Sequence, residues 1–277
     1  MSVEALARRF LRDRRAVVGL AIVVMAALAA VLAPVISPHS PHALVGEGLA
    51  RPGGRYVMGT DRLGRDVLSR LIWGTRISLL FALGAASLSL VLGVVLGLIP
   101  GYFGGWVDHL FSRVFEVFLT LPRLFLILLV SALFGTRATI GVVVVGLTIW
   151  PSNARLMRAQ VMSLKARPFV EAATALGATP WRIMGRHLLP NAINPVVANT
   201  TLQIAGAILI EASLGFLGLS DVNLPSWGQM LRDAQAHLQK EWWLAVFPGL
   251  AISTLVLGFT FLGDGIGRSL DPRQISS

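Results

Sequence analysis

Long apolar tracts alternate with short charged stretches along the whole chain. Five tracts carry no charge at all: 16–36, 77–99, 138–154, 195–210 and 242–262. A sixth, 114–133, holds Glu116 and Arg123. A hydrocarbon core of about 30 Å is crossed by about 20 helical residues. The pattern therefore predicts about six membrane helices, with 138–154 and 195–210 extending into their polar flanks. The segments between them are unequal. Two are long, 37–76 and 155–194, and one of middle length spans 211–241. Breaks fall at Ser37-Pro38, at Pro52-Gly53-Gly54, at Gly104-Gly105 and at Pro225, where turn chemistry interrupts helix. No tandem repeat is present, so the fold expected is one all-α polytopic membrane bundle over 1–277.

Composition sharpens this. Only 14% of residues are charged, against about 25% in soluble domains, and mean hydropathy is +0.71. The formal net charge of +10 raises the question of a nucleic-acid surface. The basic residues instead flank apolar tracts, as in the run Arg8, Arg9, Arg12, Arg14 and Arg15. That placement suits lipid headgroups and not DNA or RNA. The first tract is 21 residues long, beyond the 7–15 of a signal peptide, and reads as a retained helix. There is no cysteine, which excludes disulfides, thiol catalysis and zinc–thiolate sites.

Lys and Arg in the loops set orientation. With the amino terminus inside, inner segments hold 14 of them and outer segments 9, with Arg123 within a span. Both termini are thus expected in the cytoplasm, and 37–76 outside. The six arginines of 37–76 run against the bias, and the sequence offers no reason for them.

Some residues stand out within the spans. Ala85, Ser89, Gly93, Gly97 and Gly101 recur every four residues, a small-residue stripe that admits another backbone. Spacing leaves open whether that backbone belongs to this chain or to a second subunit. Glu116 and Arg123 are seven apart and, in one continuous helix, share a face, with Pro122 bending the helix beside them. An arginine at the bilayer centre costs about 2.5–3.5 kcal/mol, so Arg123 faces the bundle or a watery cavity, as a pore-lining cation or in a structural ion pair. Glu211 closes the fifth tract and is a candidate gate or helix-contact residue at the outer face. His39 and His42 lack a third partner, and no metal site is expected.

Segment 155–194 is the most informative. After Pro168 comes a short helical run, Phe169 to Leu176, with Gly177 as its natural stop. Thr179 suits an N-cap and Pro180 the first position of a second short helix, which ends at Pro190. Helices this short are marginal alone and need a surface to pack against. Ala172 and Ala173 allow close docking, and Trp181 and Ile183 offer apolar anchors; the interfacial alternative, a helix pair lying on lipid, stays open from spacing.

Glu171-Ala172-Ala173, then Gly177, then Leu188-Leu189-Pro190 resembles the EAA loop of ABC importer permeases, with His187 where that family often has isoleucine. Met58-Gly59-Thr60-Asp61-Arg62-Leu63-Gly64-Arg65-Asp66 is similar to the segment before the second helix in C-type permeases of dipeptide, oligopeptide and nickel importers. Arg113-Val114-Phe115-Glu116 with Pro122, Glu211-Ala212-Ser213-Leu214-Gly215-Phe216, Pro225-Ser226-Trp227-Gly228 and the ending Leu270-Asp271-Pro272-Arg273 agree with that group. Glu116 stands where aspartate is usual, and Arg123 departs from the pattern.

The resemblance implies a pore-forming permease subunit of a prokaryotic cell membrane, with 169–188 as the ATPase-coupling loop and Glu171, Ala172, Ala173, Gly177 and Trp181 as its contact residues. It also implies a second homologous permease, two cytoplasmic ATPase subunits that bind ATP and Mg, and an extracytoplasmic solute-binding protein. The chain agrees on one point independently. A phosphate-cradling P-loop needs G-x-x-x-x-G-K-[ST], yet the only lysines, Lys165 and Lys240, follow Leu164 and Gln239. Hydrolysis must therefore come from another polypeptide, and no cofactor is expected in this one. The competing reading is a secondary transporter driven by an ion gradient, which calls for intramembrane carboxylates and often inverted repeats. Glu116 is the one good carboxylate for it. A membrane enzyme is disfavoured, since neither HExxH nor GxSxG occurs.

Overall fold

The computed structural model describes residues 3–270, with side chains from residue 8 onward; the motif residues Asp271, Pro272 and Arg273 lie outside this range. Among the described residues the elements are helical. They are α1 (Val3–Arg12), α2 (Arg14–Ile36), α3 (Val67–Phe103), α4 (Gly105–Thr120), α5 (Arg123–Phe134), α6 (Ala138–Lys165), α7 (Pro168–Ala175), α8 (Pro180–Phe216), α9 (Trp227–Ala234) and α10 (Trp243–Leu270). Helices α2, α3, α6, α8 and α10 are each long and apolar enough to cross a membrane, and α4 with α5 reaches that length and hydropathy only as a pair bent by 81°, the geometry of a broken span or a re-entrant loop.

The central pair is α3 and α6, and α8 packs on both. Helices α2 and α10 pack on each other, with α10 also against α8. The small-residue stripe of α3 explains the first contact. Ala85, Ser89, Gly93, Gly97 and Gly101 are all buried. A Cβ on Gly93 would meet Asn153 and Ala154, one on Gly97 would meet Ala154 and Met157, and one on Gly101 would meet Val161 and Arg158. The stripe is thus filled from within the chain, by α6. Between these helices Asn153 Nδ2 donates to Ser89 Oγ (3.1 Å) and Thr200 Oγ1 (3.0 Å), so three spans share one satisfied polar knot.

Four boundaries differ from the sequence expectation. The first long loop ends at Asp66, because Asp66 caps α3 by accepting from Ser69 N–H; α3 then runs 37 residues. The second short helix does not stop at Pro190. It continues as the single helix α8 of 37 residues. A π-helical turn over Ile183–Leu188, in which Leu189 N–H donates to Met184 C=O, widens the helix just before Pro190, where a donor is missing. Glu211 therefore sits inside α8, five residues before its end, and not at a helix terminus. Finally, α1 is an amino-terminal helix that the apolar-tract pattern did not reveal.

At one end of the bundle, the loop between α2 and α3 and the helix α9 form a cap. Arg65 Nε and Arg70 Nη1 each donate to Asp61 Oδ2 at 2.6 Å, and both guanidinium groups also reach Asp233 on α9 at 3.4 Å. Trp227 Nε1 donates to Leu71 C=O at 3.0 Å. Two of the six anomalous arginines are thus internal fasteners, so they are not orientation signals. Arg55 and Arg76 lie over the rings of Tyr56 and Trp73.

Candidate functional site

At the opposite end from this cap, α7 projects beyond the spans. Its end is a Schellman turn: Gly177 adopts φ +76°, Ala178 N–H donates to Ala173 C=O, and Gly177 N–H donates to Thr174 C=O, as that motif requires. Thr179 is extended, but its side chain makes no cap bond. The turn re-aims the chain into α8 through Pro180.

The structure divides the sequence-predicted coupling residues into two sets. Val170 and Ala173 are buried with Met157, Val161, Ile183, Met184 and Leu188. Ala173 and Ile183 therefore fasten α7 to its own bundle. Glu171, Ala172 and Gly177 are exposed. So are two large apolar side chains, Leu176 at 88% and Trp181 at 69%. Phe169 is exposed as well. Apolar groups clustered at a projecting tip are the mark of an interaction surface. Leu176, overlooked in the sequence because it reads as the last turn of a short helix, is the most exposed of them. The Trp181 ring rests edge-on to Phe103 at 6.4 Å, so it is held in place while its outer face stays open.

The mechanical consequence follows from continuity. α7 is anchored on the first turns of α8, and α8 runs unbroken to Phe216. At 1.5 Å per residue its 37 residues reach about 55 Å. α7 is thus fastened to the base of a rod that carries Glu211 near its other end.

Near the far end of that rod, Glu211 is 3% exposed and accepts a 2.9 Å hydrogen bond from Ser78 Oγ of α3. It lines a cavity of about 20 Å³ with Ser131, Arg137, Asp221 and Ser226. Glu211 is thus a buried contact between spans beside the α9 cap.

Glu116 and Arg123 are not brought together. Helix breaks at Leu121-Pro122, and α4 and α5 meet at 81°, because the proline cannot continue α4. Arg123 opens α5 and is exposed. Glu116 pairs instead with Arg113, at 3.0 Å. Arg113 itself lies within α4 and not in the connecting loop, since α4 begins at Gly105.

The sequence matches two families. Residues 93–276 match the binding-protein-dependent transport system inner membrane component, and residues 4–49 match the N-terminal transmembrane domain of oligopeptide transport permease C. Relatives include the dipeptide transport system permease protein DppC of Alkalihalophilus pseudofirmus, 37% identical over 96% of this chain and 88% of the relative. The DppC of Haemophilus influenzae is 38% identical over 95% and 92%. The glutathione transport system permease protein GsiD of Pectobacterium atrosepticum is 35% identical over 96% and 89%. Among solved structures, the MetNI methionine ABC transporter in an inward-facing conformation aligns with TM-score 0.57 and 21% identity, over 73% of this chain and 96% of the matched chain. That likeness carries the fold alone. The extent of the first match and the level of identity to the relatives together show that this chain belongs to the binding-protein-dependent transport system inner membrane components, the permease subunits of ABC importers.

Proposed function

We propose that the chain forms one half of the membrane passage of an importer for short peptides, with residues 168–188 as the cytoplasmic handle gripped by its ATPase partners. The observation that carries this is the exposed tip of Leu176 and Trp181 on a helix fastened to the base of α8. Closure of two ATPase subunits on ATP pushes α7, and α8 conveys the movement to the Glu211 contact and the cap. A second, homologous permease completes the passage, and an extracytoplasmic binding protein delivers peptide to the loop 37–66 and α9. Both termini then lie in the cytoplasm.

The test is reconstitution in proteoliposomes with the ATPase pair, the second permease and the binding protein. Dipeptide uptake should require ATP and survive a protonophore. Uptake that persists without ATP and collapses with the proton gradient overturns the proposal. The chain's lack of cysteine makes topology directly testable as well. Leu176→Cys should label from the cytoplasmic side only, and labelling from outside overturns the placement of the handle.

A further inference from the structure

The structure divides the arginine run around the α1–α2 junction. Arg9 and Arg12 of α1 and Arg268 of α10 line one open cavity of about 320 Å³, together with Asp13 and Ser269. Arg14 and Arg15 are exposed at the start of α2 and do not line it. Asp13 is already engaged, since it takes Nε and Nη2 of Arg268 at 2.8 and 2.7 Å and caps α2. The lining thus sets three guanidinium groups against one carboxylate. Asp264, one turn before Arg268, lines a separate cavity with Gln160 and Asn199. The junction is a packed structure: a Cβ on Gly265 of α10 would meet both Ala16 and the ring of Phe10, so α1 is seated on α10.

The apolar tracts fix the depth of this cavity. That of α2 begins at Ala16, four residues after Arg12, and that of α10 ends at Leu262, six before Arg268. At 1.5 Å per residue the cavity starts within about 9 Å of the hydrocarbon edge, at headgroup depth. Beyond it, α2 is the least buried of the five long spans, and Val17, Val18, Leu20 and Val24 stay exposed along it. Leu11, beside Arg12, is exposed as well, at 62%. A cationic pocket at the head of an exposed apolar helix matches an amphiphile with an anionic head, and guanidinium forks suit phosphate. The volume equals that of about ten waters, enough for a phosphodiester and its glycerol. We propose that this cavity binds the headgroup of an anionic phospholipid, with the phosphate among Arg9, Arg12 and Arg268 and the acyl chains along α2. The bound lipid ties α1 to α10 alongside the Asp13–Arg268 pair.

The chain has no cysteine, so Leu11→Cys can carry a bimane label beside the cavity in the assembled transporter, with the other subunits made cysteine-free. The readout, in detergent, is quenching by added phosphatidylglycerol or phosphatidylcholine bearing a doxyl group. Phosphatidylglycerol should quench saturably and phosphatidylcholine should not. Arg9→Gln and Arg12→Gln in the labelled chain should each raise the half-saturating phosphatidylglycerol concentration about tenfold, the scale of a hydrogen bond between charged groups. Arg14→Gln with Arg15→Gln removes two charges outside the cavity and should raise it less than about threefold, through a screened field alone. Equal quenching by the two lipids overturns the inference. So does an equal effect of the two arginine pairs, which would assign binding to diffuse surface charge. Excess inorganic phosphate should leave the quenching intact, because it has no acyl chains; full displacement by phosphate marks a free-phosphate site and overturns the lipid assignment. Should an arginine variant not assemble, the comparison of the two lipids on Leu11→Cys alone still decides.

Discussion

Glu211 on α8 accepts a hydrogen bond from Ser78 on α3, 133 residues earlier in the chain, at 2.9 Å. Both side chains are buried, and Ser226, which caps α9, lines the same small cavity. The contact thus joins two spans directly beneath the α9 cap. Glu211→Ala leaves Ser78 without its acceptor, at a cost of about 1–3 kcal/mol. Glu211→Gln keeps an acceptor for Ser78 and should cost less. Melting of the purified complex in detergent should rank the three proteins as wild type, Gln, Ala. Equal melting of all three would remove any role for this contact in holding α3 to α8.

The Asp61 cluster should show a different ranking. Asp61 receives both Arg65 and Arg70, while Asp233 lies farther from each, at 3.4 Å. Arg70 is 4% exposed, and its Nε has no partner among the described residues. Removing one member of a buried ion pair costs about 3–5 kcal/mol. Asp61→Ala leaves two guanidinium groups with only the more distant Asp233 and should fall at the upper end of that range. Arg70→Met leaves Asp61 paired with Arg65 and should fall at or below the lower end. Limited proteolysis of the loop 37–66, alongside melting, should show the cap loosening in the same order. The reverse order would contradict Asp61 as the centre of the cluster.

How far these contacts were legible in the sequence depends on their range. The spans were visible because hydrocarbon demands unbroken apolar helix, and the stripe from Ala85 to Gly101 announced a close helix contact through its four-residue period. Its partner, α6, was not visible: Ala154, Met157 and Val161 are ordinary apolar residues whose role appears only when Gly97 and Gly101 lie against them. The Gly177 stop was legible because only a left-handed residue closes that turn. Pro190 misled, since its usual effect on a helix is absorbed by the π-turn before it. Pro122 misled in the opposite direction, producing a sharp break where a bend was expected, which parted Arg123 from Glu116 and left Arg113 as its partner. The basic first loop had no local reading at all, because Asp233 lies 163 residues from Arg70.

Acid should loosen the junction of α2 and α10. Asp13 caps α2 by accepting from Arg15 N–H and Ala16 N–H, and Arg268 places Nε at 2.8 Å and Nη2 at 2.7 Å from Asp13 Oδ2. Partial desolvation pushes the Asp13 carboxyl up, but the Arg268 hydrogen bond and the two backbone donors outweigh it and hold the carboxyl below its ordinary value. A carboxyl lowered in the folded state stabilises fully above its unfolded pKa of about 3.9 and loses that contribution as pH falls through the folded value. Asp13→Asn should therefore melt below wild type at pH 7, with the two curves converging on acidification below about pH 4. A difference that stays constant across that range would assign the effect to packing and not to the charge.

The handle itself separates stability from coupling. Gly177 has open space around its Cα, so only its backbone conformation resists a side chain. Gly177→Ala forces an L-residue into the left-handed region at about 1–2 kcal/mol, whereas Gly177→Asn suits that region and should be tolerated. Trp181 is different, being mostly exposed and contacting Phe103 along one edge. Trp181→Ala should leave the melting temperature of the isolated permease near wild type. It should weaken ATPase docking by about 2 kcal/mol or more, the loss typical of an anchoring tryptophan. Val170→Ala should do the converse, because Val170 is buried against the base of α8: it should lower melting first and docking only as a consequence. Co-purification of the ATPase pair, set beside melting curves, distinguishes the two classes. If Trp181→Ala retained the ATPases at wild-type stoichiometry and uptake stayed full, the exposed tip would not be the surface that they grip.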